Sequence, residues 1–290
     1  PDEWRMTGQN AAWGDANKPG QLIDSFLEGP SFDRHGNLWL VDIPWGRIFK
    51  VSPAGDWDLV TQYEGWPNGL KIHRDGRVFI ADYRRGILIL DPESGAVETF
   101  LHHRYSESFR GCNDLFFAAN GDLYFTDQGQ SGLHKPDGRV FRYSTAGKLD
   151  CLVDNCPSPN GLVMNDAETV LYVAMTRDNA VWRFPFMADG GVSKVGRFVQ
   201  LSGGLSGPDG MALDADGGLV VAHAGMGTVW TFSRLGEPAH RVRSPGGLAT
   251  TNVAFGDADG RGLYITDSDE GAVLRARLPT PGKGMFSHAE

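Results

Sequence analysis

Short apolar runs alternate with turns rich in Gly, Asp and Asn along the whole chain, and the alternation has a recurring form. A short apolar stretch such as SFD or MAL leads into a turn such as DRHGN or DADGG, and then into an alternating run such as LWLVD or LYITD. Two short runs around a tight turn read as a β-hairpin. A second pair of strands follows. RIFKVSPAGDWDLV, with Pro-Ala-Gly-Asp between two runs, is the clearest case, and RVFRYSTAGKLDCLV and TVWTFSRLGEPAHRV repeat it.

The hairpin phrase occurs six times. It opens at Glu28, Asn68, Asn113, Asn160, Asp209 and Asn252, and eight residues later stands Gly36, Gly76, Gly121, Glu168, Gly217 or Gly260, at or beside a turn. Successive openings are 40, 45, 47, 49 and 43 residues apart. Four strands at a period in the forties match a propeller blade. The predicted fold is therefore all-β: a six-bladed β-propeller of four-stranded antiparallel blades around a central channel, with residues 1–290 as a single domain. A β-sandwich would not repeat a four-strand cassette six times, and a β-helix has much shorter coils. The last unit runs out soon after AVLRARL, so the N-terminal segment near EWRMTG is expected to close the ring by supplying the missing outer strand.

Composition narrows the partners. The 290 residues are 41% hydrophobic and 22% charged, with 39 glycines and 16 prolines, as suits a turn-rich globular chain. A formal net charge of -9 without a Lys/Arg cluster argues against nucleic acid or an anionic membrane, both of which need a basic face. No apolar run approaches a membrane span, and PDEWRMTGQN is not a signal peptide, so the expected location is cytoplasmic, although a chain that begins at a proline is compatible with a trimmed leader. Cys112, Cys151 and Cys156 are odd in number and lack metal-ligand spacing, so no disulfide is expected.

The openings of the six phrases carry oxygen. In a propeller the first strand of each blade lines the channel, and residues just before it gather at one mouth. The six openings should therefore meet in space as a ring of oxygen donors. Asn-Gly and Asp-Gly are ordinary turn dipeptides, but six in register, only two of them charged, suit a hard divalent cation with six to eight oxygen ligands. The expected ion is one Ca²⁺, with Mg²⁺ and Mn²⁺ as alternatives and Zn²⁺ less well matched to donors without nitrogen or sulfur. Two antiparallel strands return the chain to the same mouth. The loops there bring Trp45, Arg84, Arg85, Gln128, His134, Arg177 and His223 to the rim, with Arg110 and Trp66 on the approaches and DQGQSGLHKPDG as a candidate lid. Arg110, Asn68, His134 and His223 are the candidate substrate contacts from this set. Cys112 has no visible histidine partner for nucleophilic catalysis.

The phrases LEGPSFDRHGNLWLVD, RGCNDLFFAANGDLYFTD, PNGLVMNDAETVLYVA and GPDGMALDADGGLVVA resemble those of the gluconolactonase, senescence marker protein and luciferin-regenerating-enzyme family, which includes drug-responsive bacterial lactonases, over nearly the whole chain. The resemblance implies a six-bladed propeller with one divalent ion, usually Ca²⁺, and hydrolysis of lactones. It implies Glu28, Asn113, Asn160 and Asp209 as metal ligands, with Asp209 also the catalytic base and Asn113 also a substrate contact. Where the family has an Arg two residues before that Asn, this chain has Gly111, with Arg110 one place further off. The expected function is a metal-dependent lactonase acting on a small sugar or hydroxy-acid lactone, within carbohydrate metabolism. Phosphotriester hydrolysis on the same platform and a noncatalytic binding propeller are the alternatives; the oligomeric state is left open.

Overall fold

The computed structural model describes residues 1–9 and 11–289. Six antiparallel sheets follow one another in chain order, each built as a meander from an inner strand outward. The inner strands are Leu27–Phe32, Pro67–Ile72, Cys112–Phe117, Pro159–Met164, Pro208–Leu213 and Thr250–Gly256. Each touches the next around a ring, and the strand of blade six packs against that of blade one. The six-bladed propeller is thus formed as expected.

Burial follows from the stacking of blades. Second strands such as Leu38–Asp42 and Val78–Asp82 are buried throughout, because another sheet covers each face, whereas the outer strand Pro238–Arg243 is almost wholly exposed. The core is accordingly a set of clusters between blades. One joins Val41 and Ile48 of blade one to Leu70, Ile80 and Leu88 of blade two; another joins Val163 and Val181 of blade four to Met211 and Val221 of blade five. No helix among the described residues is long and apolar enough to cross a membrane, and the three cysteines are free thiols.

Ring closure differs from the expectation. Among the described residues blade six has three strands, ending with Ala272–Arg277, and the N-terminal segment adds none. That segment has no alternating run; it forms a 3-10 turn at Asp2–Trp4 and a short helix at Ala12–Asn17. It clasps the seam with side chains instead. Arg5 donates to the Glu270 carbonyl at 2.6 Å and to Asp24 at 3.2 Å, Lys18 pairs with Asp269 at 2.6 Å, and Trp13 is buried against Phe26. The outermost strand of blade six carries Arg275 and Arg277, paired with Asp257 and Asp259, and charges of this kind blunt a free sheet edge.

The chain beyond blade six crosses the opposite end of the channel. The Lys283 N–H donates to the Leu213 carbonyl, Phe286 stacks on Phe117 with ring centres 5.2 Å apart, and the Ser287 hydroxyl donates to the Phe32 carbonyl. Five of the six residues that open the repeats lie at the other mouth.

Candidate functional site

Every inner strand carries one extra residue relative to its partner, between Glu28 and Ser31, Pro67 and Gly69, Cys112 and Leu115, Pro159 and Leu162, Pro208 and Met211, and Thr250 and Asn252. A bulge bends the strand and re-aims a side chain. Glu28, Asn68, Asn113, Asn160 and Asp209 stand at these bulges and line one cavity of about 390 Å³.

The sixth position of the ring belongs to Thr251, which lines the cavity; Asn252 does not. The first hairpin of blade six is longer, pairing Phe255 with Leu263 where blade five pairs Leu213 with Leu219. Counting back from the turn glycine therefore lands one residue late. Asn252 belongs to a second layer below the ring, in phase with Gly29, Gly69, Asp114, Gly161 and Gly210. The glycines there are required by space: a Cβ on Gly161 would lie 2.5 Å from the Asp209 carbonyl oxygen, and one on Gly210 would lie 2.0 Å from Asn252 Oδ1. Asn252 and Asp114 fill the room the glycines leave. Asp114 is the residue that the spacing argument missed, since the repeat drew attention to Asn113 beside it.

The polar groups are held by bonds that cross between blades. Glu28 Oε2 accepts from the Gly29 N–H and from Asn252 Nδ2, both at 2.8 Å, which leaves Oε1 uncommitted by those bonds. Asn113 Nδ2 donates to Gln128 Oε1 at 3.0 Å, and Gln128 Nε2 donates to Ser158 Oγ at 3.0 Å. Asn160 Nδ2 donates to Thr176 Oγ1 at 3.3 Å, whose hydroxyl in turn donates to the Pro208 carbonyl. With their amide nitrogens tied back, the Asn113 and Asn160 side-chain oxygens accept no hydrogen bond among the described residues. Gln128, Ser158, Thr176, Tyr83, Arg177 and, from the N-terminal helix, Trp13 also line the cavity. Of these, the sequence places Gln128 and Arg177 at the rim.

Electrostatics sets this mouth apart. Burial raises Glu28 to about 7 against the pull of the Gly29 N–H and Asn252. Burial and then the charges of Glu28 and Asp114 hold Asp209 well above the carboxylate range, with Asn160 and Arg177 opposing. Burial also raises Asp114, opposed chiefly by Lys71. Burial and mutual repulsion thus oppose ionisation of the three carboxyl groups together, and a bound divalent ion inverts that logic. No group of three or more His, Cys, Asp or Glu among the described residues is arranged as a metal site. A cation held here would thus rest on amide oxygens as well as on Glu28 and Asp209. The donor set, all oxygen with two carboxylates, fits a hard divalent ion.

The remaining rim candidates separate. His134 lines an adjoining cavity with Tyr83, Gln128 and Arg177. Arg110 lines neither cavity; its guanidinium is spent on Asp137 and Glu107, and its N–H donates to Asp127 Oδ1 at 2.7 Å. His223 lies fully buried behind the wall, and its Nδ1 accepts from Trp230 Nε1 at 3.2 Å. It occupies the end of the second strand, where blades one, two, three and six have Asp42, Asp82, Asp127 and Asp267. Those aspartates bind loop N–H groups, as Asp42 does Phe26 and Asp127 does Gly111, so this place in the blade fastens loops.

Residues 26–269 match the SMP-30/gluconolactonase/LRE-like family. The chain belongs to that family. It is 32% identical to lactonase drp35 of Staphylococcus epidermidis over 246 residues, covering 79% of this chain and 74% of the relative. It is 29% identical to the gluconolactonase of Zymomonas mobilis over 303 residues, covering 92% and 83%. Among solved structures, the calcium-binding protein regucalcin from Agrobacterium tumefaciens superposes with a TM-score of 0.75 at 25% identity, covering 90% of this chain and 92% of that one. A gluconolactonase from Xanthomonas campestris superposes at 0.76 and 23% identity, covering 89% and 86%, a likeness of fold.

Proposed function

We propose that this family member is a divalent-cation-dependent hydrolase that opens a small-molecule lactone, with Ca²⁺ as the ion. The observation that carries the reading is the convergence of Glu28, Asn113, Asn160 and Asp209 on one cavity in which burial and mutual repulsion raise the carboxyl groups. The names of the two lactonase relatives and of the calcium-binding regucalcin support it. A concave space of about 390 Å³ suits a small ligand better than a peptide laid across a face.

Glu28, Asn113, Asn160 and Asp209 would hold the ion. When bound, it supplies Lewis-acid polarisation of the lactone carbonyl. Deprotonation of Asp209 accompanies ligation, because a ligand must give up its proton. An Asp209 carboxylate oxygen then takes a proton from the attacking water, and the same carboxyl returns it to the departing ring oxygen as the ester C–O bond breaks. Glu28, fixed by Gly29 and Asn252, anchors without moving. Asn113, steered by Gln128, presents its amide to substrate. Acid release in a pH-stat across a lactone panel, with Ca²⁺ and with chelator, tests the proposal; a cation-loaded sample that turns over no lactone would sink it.

A further inference from the structure

The adjoining cavity of about 450 Å³ shares Asn17, Tyr83, Gln128, Ser158 and Arg177 with the main one, so the two form a well and an annex joined along a common wall. Their charges differ. Glu28, Asp209 and Asp269 line the well, whereas no Asp or Glu among the described residues lines the annex, whose basic groups are Arg177 and His134. In a chain of net charge -9 such a wall is a local exception.

Neighbouring cations on this face are already neutralised. Lys18 pairs with Asp269, Arg110 with Glu107 and Asp137, and Lys135 with Asp137. The exposed Arg177 guanidinium takes part in no ion pair and no hydrogen bond among the described residues, although it also borders the well, where its charge favours the ionised form of Asp209. Its backbone is nonetheless firmly placed. It lies in the 3-10 turn Thr176–Asp178, where Asp178 is gripped by both Arg197 Nε and Nη2 at 2.7 Å and by Trp182 Nε1 at 2.7 Å. The Arg177 N–H donates to the Pro157 carbonyl, and its Cγ and the His134 ring both stand over Gly132. A fixed turn that carries an unpaired guanidinium at the boundary between the acidic well and a wall without carboxylates is the chemistry of an oxyanion receptor.

We infer that the annex receives an oxyanion at the far end of the substrate, through Arg177, so that the preferred substrates are lactones bearing a second acidic group, carboxylate or phosphate, remote from the ester. The inference rests on the lactone-opening reading for what happens in the well, and adds the substrate class. Gln130 and Tyr83, bonded to each other at 2.7 Å, supply neutral polar groups on the same wall.

The test compares kcat/KM for three matched lactones: a neutral aldonolactone, the corresponding aldaric monolactone with a free carboxylate, and the terminally phosphorylated aldonolactone. The wild-type protein should prefer one acidic lactone over the neutral one by about tenfold or more, and the arm that gains identifies carboxylate or phosphate. R177Q should cut the acidic-over-neutral ratio by about tenfold or more, with R177K intermediate because a lysine keeps charge without the fork. Equal kcat/KM for all three lactones in the wild type, or an unchanged ratio in R177Q, overturns the inference. Calorimetric titration with open-chain aldarate and with the phosphorylated aldonate reads the annex without turnover. Binding weakened about tenfold in R177Q supports it even where no lactone is hydrolysed, an outcome that would remove only the lactonase reading. No binding to the wild type, or equal affinity in R177Q, overturns it.

Discussion

Single residues at this mouth have roles that their spacing only half discloses. Asp209 and Glu28 are both buried acids at bulges, but Glu28 is pinned through Oε2 by two donors, whereas Asp209 sits beside Arg177 with its burial and two acidic neighbours opposing ionisation. Asp209→Asn should therefore lower lactone kcat by about 10³-fold or more, an expectation scaled from removal of a general base, while its circular dichroism and melting curve stay close to wild type; retention of full activity would refute the base assignment. The glycine layer below is a matter of space. Gly161→Ala places a Cβ 2.5 Å from the Asp209 carbonyl oxygen, and the expected cost is about 1–3 kcal/mol in urea denaturation, as for other overpacked sites, together with weaker cation binding. The sequence displayed Glu28, Asn113, Asn160 and Asp209 because one repeat brought them into phase. It hid Asp114, which follows Asn113 in the second layer, Thr251, which a longer hairpin in blade six puts out of count, and Thr176, which comes from the loop after the second strand of blade four.

Among elements, the N-terminal helix stands outside the repeat, while the turn that carries Arg177 has a counterpart in the 3-10 turn Ile43–Trp45 of blade one. The helix Ala12–Asn17 serves as a cover in place of the outer strand that the unfinished sixth repeat suggested, and Trp13 holds it against Phe26 and Ile43. Trp13→Ala should destabilise the protein by about 3 kcal/mol and raise KM, read from thermal melts and kinetics; an unchanged melt would mean the cover contributes no stability. The Thr176–Asp178 turn hangs on an ion pair. Arg197 holds the Asp178 carboxyl below the ordinary aspartate range, against some burial, with help from Trp182. A lowered folded pKa means that this stabilisation is fully present above the unfolded value of about 3.9 and is lost as pH falls through the lower folded value. Urea midpoints measured from pH 5 down to pH 2.5 should fall less steeply for Asp178→Asn than for wild type, with the variant already weaker at pH 5. Parallel slopes would show that the pair does not contribute to acid sensitivity.

For the whole molecule, a ring of six sheets concentrates acidic groups from distant parts of the chain at one mouth and closes the other with its C-terminal strap. Crowding of this kind is a liability that a cation relieves. Ca²⁺ at about a hundred times its Kd should add about 2.7 kcal/mol to the stability of the wild-type protein, visible as a rise in Tm that chelator reverses. Glu28→Gln should show little or none of that rise, since it removes one of the two carboxylates proposed as ligands. A full rise in the variant would place the ion elsewhere.

The sequence by itself determined the six-bladed ring, because a blade is a local meander whose period, turns and apolar runs are written out in one stretch of chain and then repeated. It also determined five of the six ring positions, Glu28, Asn68, Asn113, Asn160 and Asp209, since position within the repeat fixes position in the ring, and missed the sixth, Thr251, where the blade-six hairpin is longer. Tertiary structure alone decided which neighbours those residues meet. The charge of Asp114 acts on Glu28 and that of Arg177 on Asp209 from separate blades, and Trp13 reaches the cavity from a segment outside the repeat. It also removed His223 and Arg110 from the cavity wall, by burying one and pairing the other. Periodicity records what each blade does alike, and these contacts depend on where the blades differ.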